Sequence, residues 1–201
     1  MATRMMTTTD NGLAQETDVV AFLIGQHMMI RDLFTEVAFS TGDARADAFE
    51  RLVKLLAAHE TAEQQVIRPM TRARIDGGND IADEHIAEEA QAKEMLAELE
   101  RMGPDDSEFP ALLDQLREAV LLHAFHEEAH EFRYLKQKMD GGTTATTGLV
   151  KAAEAIAPTH PHPSVNSATA NNLAGPMVSM FDRTRDLVRK ALDTSSREVN
   201  A

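Results

Sequence analysis

The second apolar stretch of the chain, LVKLLAAHETAEQQVIRPM, carries His59 and Glu63 at helical spacing. Residues four apart lie one turn apart on the same face of a helix, here beside Leu56 and Val66. An imidazole and a carboxylate on such a face need polar partners, because burying them unpaired costs free energy. A metal ion is one partner that binds both.

Three other stretches repeat the arrangement. The stretches are VVAFLIGQHMMIRDLFTEVAF with His27, NDIADEHIAEEAQAKEMLAELERM with His85 and Glu89, and FPALLDQLREAVLLHAFHEEAHEFRYLKQKM with His123, Glu127 and Glu128. A single histidine on an apolar face is usually a hydrogen-bonded core residue, but one on each of four helices indicates a metal site. The sequence shows no evident buried Lys or Arg partner for Glu63 and Glu89, which also favours a metal ion.

The ligand types narrow the choice of metal. Imidazole and carboxylate without sulfur suit iron, manganese or zinc, and the absence of cysteine excludes thiolate sites and thiol catalysis. The candidate side chains exceed what one ion takes, so two neighbouring ions are expected. Closed structural zinc sites are four-coordinate, which disfavours zinc. A ferritin-like site needs two Glu-x-x-His motifs, and only Glu127 and His130 have that spacing.

The sequence does not decide which carboxylate of helix four is the ligand. On a regular helix Glu127 lies about 40° from His123, whereas Glu128 lies about 140° away. Both positions border the apolar stripe. His126 and His130 fall toward its outer shoulder, where they are expected to be solvated or to support a ligand from outside.

The elements that position these residues are all helical. The pattern predicts an all-α fold, an up-down-up-down four-helix bundle with a C-terminal linker and an extra amphipathic helix. Thr17 or Asp18 can cap the first helix, and Pro69 should kink the second or end its regular part. The expected organisation is a disordered N-terminus at 1–16, the bundle at 17–140, a flexible linker at 141–172 with a short helix around Leu149–Ile156, and the amphipathic helix at 173–193.

Composition excludes several classes of function. A net charge of −13 without a clustered basic face argues against nucleic-acid binding. The apolar runs are too short to span a membrane, and no secretory signal is visible. A cytoplasmic protein is therefore expected. His160 and His162 lie among prolines of the linker, where metal binding is not expected.

The four histidine motifs together resemble the hemerythrin-like HHE cation-binding family. They are QHMMIRDLF, HETAEQQVIRP, EHIAEE and HAFHEEAHEF, in that order within residues 18–140. The resemblance implies a non-haem centre of two iron ions with carboxylate and oxo or hydroxo bridges, in which Glu63 and Glu128 bridge. The ligands it implies are His27, His59, Glu63, His85, Glu89, His123 and Glu128, with Glu127 as the substitute for the last.

Two positions depart from the family pattern. Oxygen-carrying hemerythrins have histidine where this chain has Glu89, and a carboxylate there makes the site harder and more anionic. That favours the ferric state and oxidation chemistry over reversible oxygen carriage. Helix four usually continues to Phe-Pro, whereas this chain has Phe132 and Arg133, which predicts an uninterrupted helix.

The function expected from these features is reaction with dioxygen, hydrogen peroxide or nitric oxide, with catalase-like peroxide disproportionation as the expected turnover. The sequence shows no general base or nucleophile beyond the ligands, which leaves open whether the protein is an enzyme. The alternative is a non-catalytic iron or oxygen sensor that signals to a partner protein through residues 173–193. The same segment is a candidate for self-association. A plain helical scaffold is a third interpretation.

Overall fold

The computed structural model describes residue 16, residues 18–139, residues 143–155 and residue 157. Several predictions therefore lie outside the described residues: those for the N-terminus before residue 16, for His160 and His162, and for the helix at 173–193. The described residues form helices and no strand, which confirms the all-α class. None of the described helices is both long and apolar enough to cross a membrane.

Four helices, α1 to α4, form the bundle, and α2 and α4 each contain one π-helical turn. Their bounds are α1 Val19–Phe39; α2 Gly42–Ala62, the π turn Glu63–Ile67 and Arg68–Arg74; α3 Gly78–Met102; and α4 Phe109–His126, the π turn Glu127–Phe132 and Arg133–Lys138. Successive helices pack against each other and α1 also packs against α4. The predicted helical bundle is confirmed.

The start of α1 follows from a cap. The Asp18 carboxylate accepts hydrogen bonds from the N–H groups of Val20, at 3.0 Å, and Ala21, at 3.4 Å. These N–H groups have no partner inside the helix, so the cap stabilises its first turn. The predicted role of Asp18 is confirmed.

The irregularity expected near Pro69 is the π turn Glu63–Ile67, which ends two residues before the proline. The N–H of Arg68 donates to the carbonyl of Glu63, five residues back, instead of four. Pro69 has no N–H to donate, so the next regular hydrogen bond is absent as well. The α4 helix continues past Phe132 to Lys138, as predicted, but a π turn that was not predicted begins at Glu127. Both π turns start at a candidate ligand, and such turns are frequent at functional sites.

Two apolar clusters fill the bundle, one at each end. The upper cluster lies near the α1–α2 and α3–α4 connections and includes Phe34, Leu52, Leu96 and Leu116. The lower cluster includes Leu23 and other apolar side chains from α1, α2 and α4. On α1 and α4 the candidate ligands His27 and His123 lie between residues of the two clusters, so the polar groups lie in a layer between the upper and the lower apolar packing.

A fifth helix, α5 Thr143–Ala155, follows the bundle. Val150 and Ala153 are fully buried in the lower cluster, and α5 packs against α1 and α2. The expectation of a flexible linker with a helix starting near Leu149 is therefore wrong for residues 143–155. Threonines and a glycine at the start of this stretch are poor helix formers, and tertiary packing outweighs their low propensity.

Candidate metal centre

The donor atoms of six predicted ligands and Glu127 converge in the polar layer. They form three overlapping groups of possible metal ligands, with the atoms of each group within 4.8 Å of one another. The groups are His27, His59, Glu63 and Glu127; His85, His123 and Glu127; and Glu63, Glu89, His123 and Glu127. Glu127 belongs to all three and Glu63 to two. Shared carboxylates of this kind are what two neighbouring ions need.

One half of the site is built on α1 and α2. His27 Nε2 lies 3.0 Å from His59 Nε2 and 3.3 Å from Glu127 Oε2, and His59 Nε2 lies 3.4 Å from Glu63 Oε1. Ligands about 2 Å from one ion are separated from each other by about 3 Å, so these distances fit a common ion. Regular helical spacing alone brings His59 and Glu63 to the same face.

The other half is built on α3 and α4. His123 Nε2 lies 3.2 Å from Glu127 Oε1. The Nδ1 atoms of His85 and His123 lie 3.3 Å and 2.7 Å from the Glu88 carboxylate. Hydrogen bonds to Nδ1 orient an imidazole so that Nε2 faces a metal. Sequence reasoning missed Glu88, although it lies one turn from His85.

The Glu88 carboxylate also forms a hydrogen bond with His126. His126 Nδ1 lies 2.7 Å from Glu88 Oε1. Partial burial raises the pKa of Glu88, but hydrogen bonds from His123 and His126 outweigh it and the pKa is lowered. His126 thus supports the site from outside, as predicted, while His130 is exposed.

The structure places Glu127 inside the site and Glu128 at its edge. The Glu127 side chain is fully buried, whereas that of Glu128 is 41% exposed and its Oε1 lies 2.9 Å from His27 Nδ1. The helical angles had placed Glu127 nearer to His123, and the chain between the two residues is regular α-helix, as that estimate requires. Among the two predicted alternatives, the geometry favours the substitute, Glu127. Its role as a ligand stays a prediction.

Arg68 is the main feature that sequence reasoning missed. It is 2% exposed, and its Nη2 lies 2.8 Å from Glu89 Oε1 and 3.5 Å from Glu63 Oε2. It also pairs with Glu127 and Glu131. The expectation that Glu63 and Glu89 lack a buried cationic partner is therefore wrong.

The π turn hid this arginine from the sequence pattern. Five residues of regular helix place Arg68 about 140° away from Glu63. The turn at Glu63–Ile67 inserts an extra residue and rotates Arg68 into the bundle. Glu131 was also missed, although it lies four residues after Glu127 and is fully buried.

Three buried ligand atoms have no hydrogen-bond partner despite Arg68. They are Glu63 Oε1, His123 Nε2 and Glu127 Oε2. Buried polar atoms are normally paired, and oxygen and nitrogen atoms facing each other at these distances can share a cation. The residues present therefore fit the metal that the donor set implies.

Burial and neighbouring charges shift the pKa values of the two shared carboxyls, Glu63 and Glu127, in opposite directions. Burial, with the negative charge of Glu127, raises the pKa of Glu63 well above its ordinary value. Burial also acts on Glu127, but Arg68 and His123 outweigh it and lower the pKa of Glu127 well below its ordinary value. Without a metal, Glu63 is therefore expected to hold a proton while Glu127 is ionised.

The histidines His59 and His123 also differ in protonation. Burial lowers the pKa of His59 well below its ordinary value, and the neighbouring His27 adds to the effect. Burial also opposes charge on His123, but its ion pair with Glu127 outweighs burial and raises the pKa of His123 to about 9. Metal binding at His123 must therefore displace a proton at neutral pH.

A small cavity opens beside the donor atoms. It leaves about 20 Å³ for the centre of a water-sized molecule, roughly room for one. Its apolar wall is formed by Ile30, Leu56, Ala92, Val120, Leu121 and Ala124, and its polar wall by Glu60 and candidate ligands. A molecule with two or three non-hydrogen atoms, such as dioxygen or hydrogen peroxide, is of the size that this space admits, and a larger organic substrate is not.

The family model for the hemerythrin HHE cation-binding domain matches residues 18–135. The chain belongs to this family. An uncharacterized hemerythrin-like protein of Schizosaccharomyces pombe is 28% identical over 138 residues, covering 67% of this chain and 68% of the relative. A DNA nickase of a Nostoc strain is 25% identical over 131 residues, covering 65% of this chain but only 37% of that protein. No solved structure matches the chain significantly.

Proposed function

We propose that this hemerythrin-like protein holds two non-haem iron ions and reacts with dioxygen, hydrogen peroxide or nitric oxide. The observation that best supports the proposal is the overlap of three donor groups at Glu127. His27, His59, Glu63 and Glu127 would hold one ion. His85, His123 and Glu89, with the shared carboxylates, would hold the other.

Iron bound here would supply the electron exchange that reduction or oxidation of a small oxygen species requires. The protein's own contribution is a rigid set of hard ligands. Glu89 in place of histidine adds negative charge, which favours the ferric state over reversible oxygen carriage. Within the proposal, this makes hydrogen peroxide the preferred substrate and disproportionation to water and dioxygen the preferred turnover.

Glu60 supplies a proton-holding group that the sequence did not reveal. It lines the cavity, and burial raises its pKa to about 7 even though Lys93 Nζ lies 3.2 Å from Oε2. A carboxyl with a pKa near the working pH can both release and accept a proton. We infer that Glu60 exchanges protons with the small molecule in the cavity, because peroxide disproportionation transfers protons as well as electrons.

The DNA nicking named for the Nostoc relative is not part of the proposal. The matched region is a minor part of that protein. The acidic charge of this chain, −13, would repel a nucleic-acid backbone.

Metal analysis and peroxide assays test the proposal. The expected result is about two irons per chain, near-ultraviolet absorption that bleaches on anaerobic reduction, and dioxygen release from peroxide. Loss of iron should be larger in Glu127→Gln than in Glu128→Gln, because Glu127 belongs to every donor group. A folded protein that takes up no iron would overturn the proposal. Equal iron loss in both variants would overturn the role of Glu127.

A further inference from the structure

The helix α5 lies outside the residues that the family model matches, 18–135, yet it contacts the polar layer of the bundle. Buried Val150 and Ala153 fix it against the lower cluster. Glu154, next to this apolar pair, points to α1 and accepts a hydrogen bond from Gln26 Nε2 at 2.7 Å. Gln26 precedes the candidate ligand His27 and is 5% exposed.

Gln26 in turn contacts the other histidine of the same half-site. Its Oε1 lies 2.9 Å from His59 Nδ1. The two bonds form a continuous path from α5 through α1 to α2. Its members are Glu154, Gln26 and His59.

The chemistry of the three groups fixes the direction of both bonds. An ionised carboxylate only accepts hydrogen bonds, so Glu154 requires the NH₂ group of Gln26 to face it. The Gln26 oxygen must then face His59, and an oxygen only accepts. His59 therefore carries its proton on Nδ1, which leaves the Nε2 lone pair directed toward His27 and Glu63.

We propose that Glu154 is a positioning residue of the metal centre, which acts through Gln26 to hold His59 in its metal-binding tautomer. This inference rests on the proposed function. Reversal of the amide would place an NH₂ group against Nδ1 and favour the opposite tautomer, whose Nε2 carries a proton and cannot bind a metal. The bond to Glu154 opposes that reversal.

The structure explains why an acidic residue suits this position. Glu154 is half-buried, and burial raises its pKa above the ordinary value, although the hydrogen bond from Gln26 and the charge of Lys151 offset part of that rise. Lys151 lies one turn earlier on α5. Packing of α5 against the bundle thus places the Glu154 carboxylate, with Lys151 nearby, within hydrogen-bond distance of the buried Gln26 amide.

Histidine tautomers and iron affinity test the inference separately in the full-length protein. Nitrogen NMR of iron-free protein would identify the protonated atom of His59 in the native chain and in Glu154→Leu. Competition with a chelator would give the Fe²⁺ affinity. Val150→Ala is the matched control, because it removes buried apolar packing of α5 and leaves the Glu154 carboxylate that accepts the bond from Gln26.

We expect Glu154→Leu to mix the His59 tautomers and to weaken Fe²⁺ binding about tenfold, the low end for groups that orient a ligand. Glu154→Gln should restore most of the affinity, because its amide oxygen can accept the bond from Gln26. In a Gln26→Leu background, Glu154→Leu should have no further effect, since the path is already broken.

Two results would overturn the inference. One is an unchanged His59 tautomer in Glu154→Leu. The other is an equal loss of affinity in Glu154→Leu and Val150→Ala, which would mean that packing alone matters. If the native protein binds no iron, the proposed function fails, while the tautomer measurement still decides whether Glu154 positions His59.

Discussion

Arg68 and the carboxylates around it determine the charge balance of the polar layer. Four buried glutamates surround this one guanidinium, namely Glu63, Glu89, Glu127 and Glu131. Even with the proton on His123, which pairs with Glu127, four carboxylates cannot all remain ionised away from water at low cost. Protonation of Glu63 or a bound cation must relieve the excess, because Arg68 alone does not balance the charge of the site.

Replacing Arg68 should destabilise the iron-free protein most. We expect Arg68→Met to lower the free energy of unfolding by about 3–5 kcal/mol, because it leaves buried charges without their partner. Iron should recover part of the loss by supplying positive charge. Thermal unfolding with and without iron measures both effects.

Arg72→Met on the same helix is the control. Arg72 pairs with Asp83, which is 69% exposed, so its loss should cost less than about 1 kcal/mol. If both variants lose the same stability, Arg68 does not have the role assigned to it.

Glu60 should give the iron-free protein a pH-dependent stability. Its ordinary pKa is 4.5 and its folded pKa is about 7, so the folded state binds more protons than the unfolded state in this interval. The contribution of Glu60, on the order of 3 kcal/mol, is present below pH 4.5 and is lost as the pH rises through 7.

Denaturant unfolding of the native protein and Glu60→Gln across this pH range tests the prediction. The amide does not titrate, so the variant should lose less stability than the native protein between about pH 4.5 and 7. The comparison removes the contribution of other titrating groups. Parallel curves would contradict the assignment.

At the scale of elements, the π turns and the α2–α3 connection set how the helices present the site. Each π turn begins at a shared carboxylate, Glu63 or Glu127, and changes which later residues face inward. The connection fixes the position of α3, which carries His85 and Glu89. Gly78 is the point of closest approach there: a Cβ on it would lie 2.1 Å from the carbonyl oxygen of Thr71.

Alanine at Gly78 should therefore push α3 away from the end of α2. We expect Gly78→Ala to lower the free energy of unfolding by about 3 kcal/mol, because the obstacle is backbone that cannot rotate away. Gly148→Ala on α5 is the matched control. A Cβ there meets nothing within 4 Å, and helix propensity predicts a gain of about 0.5–1 kcal/mol. Denaturant titration distinguishes the two, and a harmless Gly78→Ala would contradict the close approach.

At the scale of the whole molecule, the apolar clusters should hold the bundle together without iron. Both clusters consist of buried apolar side chains, and buried Arg68 occupies the polar layer between them. Chelation should therefore preserve helical circular dichroism, while iron should raise the melting temperature by binding the folded state alone. Loss of helix on chelation would contradict this prediction and indicate that folding requires the metal.

The sequence by itself determined the class of fold and nearly all the candidate ligands. Periodicity of 3.6 residues places His27, His59, Glu63, His85, Glu89 and His123 on inward faces, and this rule needs no tertiary information. The acidic charge and the absence of cysteine likewise follow from composition. For α4, the sequence did not decide between Glu127 and Glu128 as the ligand, because the family pattern and regular helical geometry favoured different residues.

Only the tertiary structure decided the charge balance and the outer supports of the site. Arg68 faces the site because a π turn rotates it there, and such turns break the periodicity on which sequence interpretation depends. Glu88 and Glu154 contact histidine and amide groups that other helices supply. Contacts between helices depend on docking and not on spacing along one helix, so the chain reveals them only when folded.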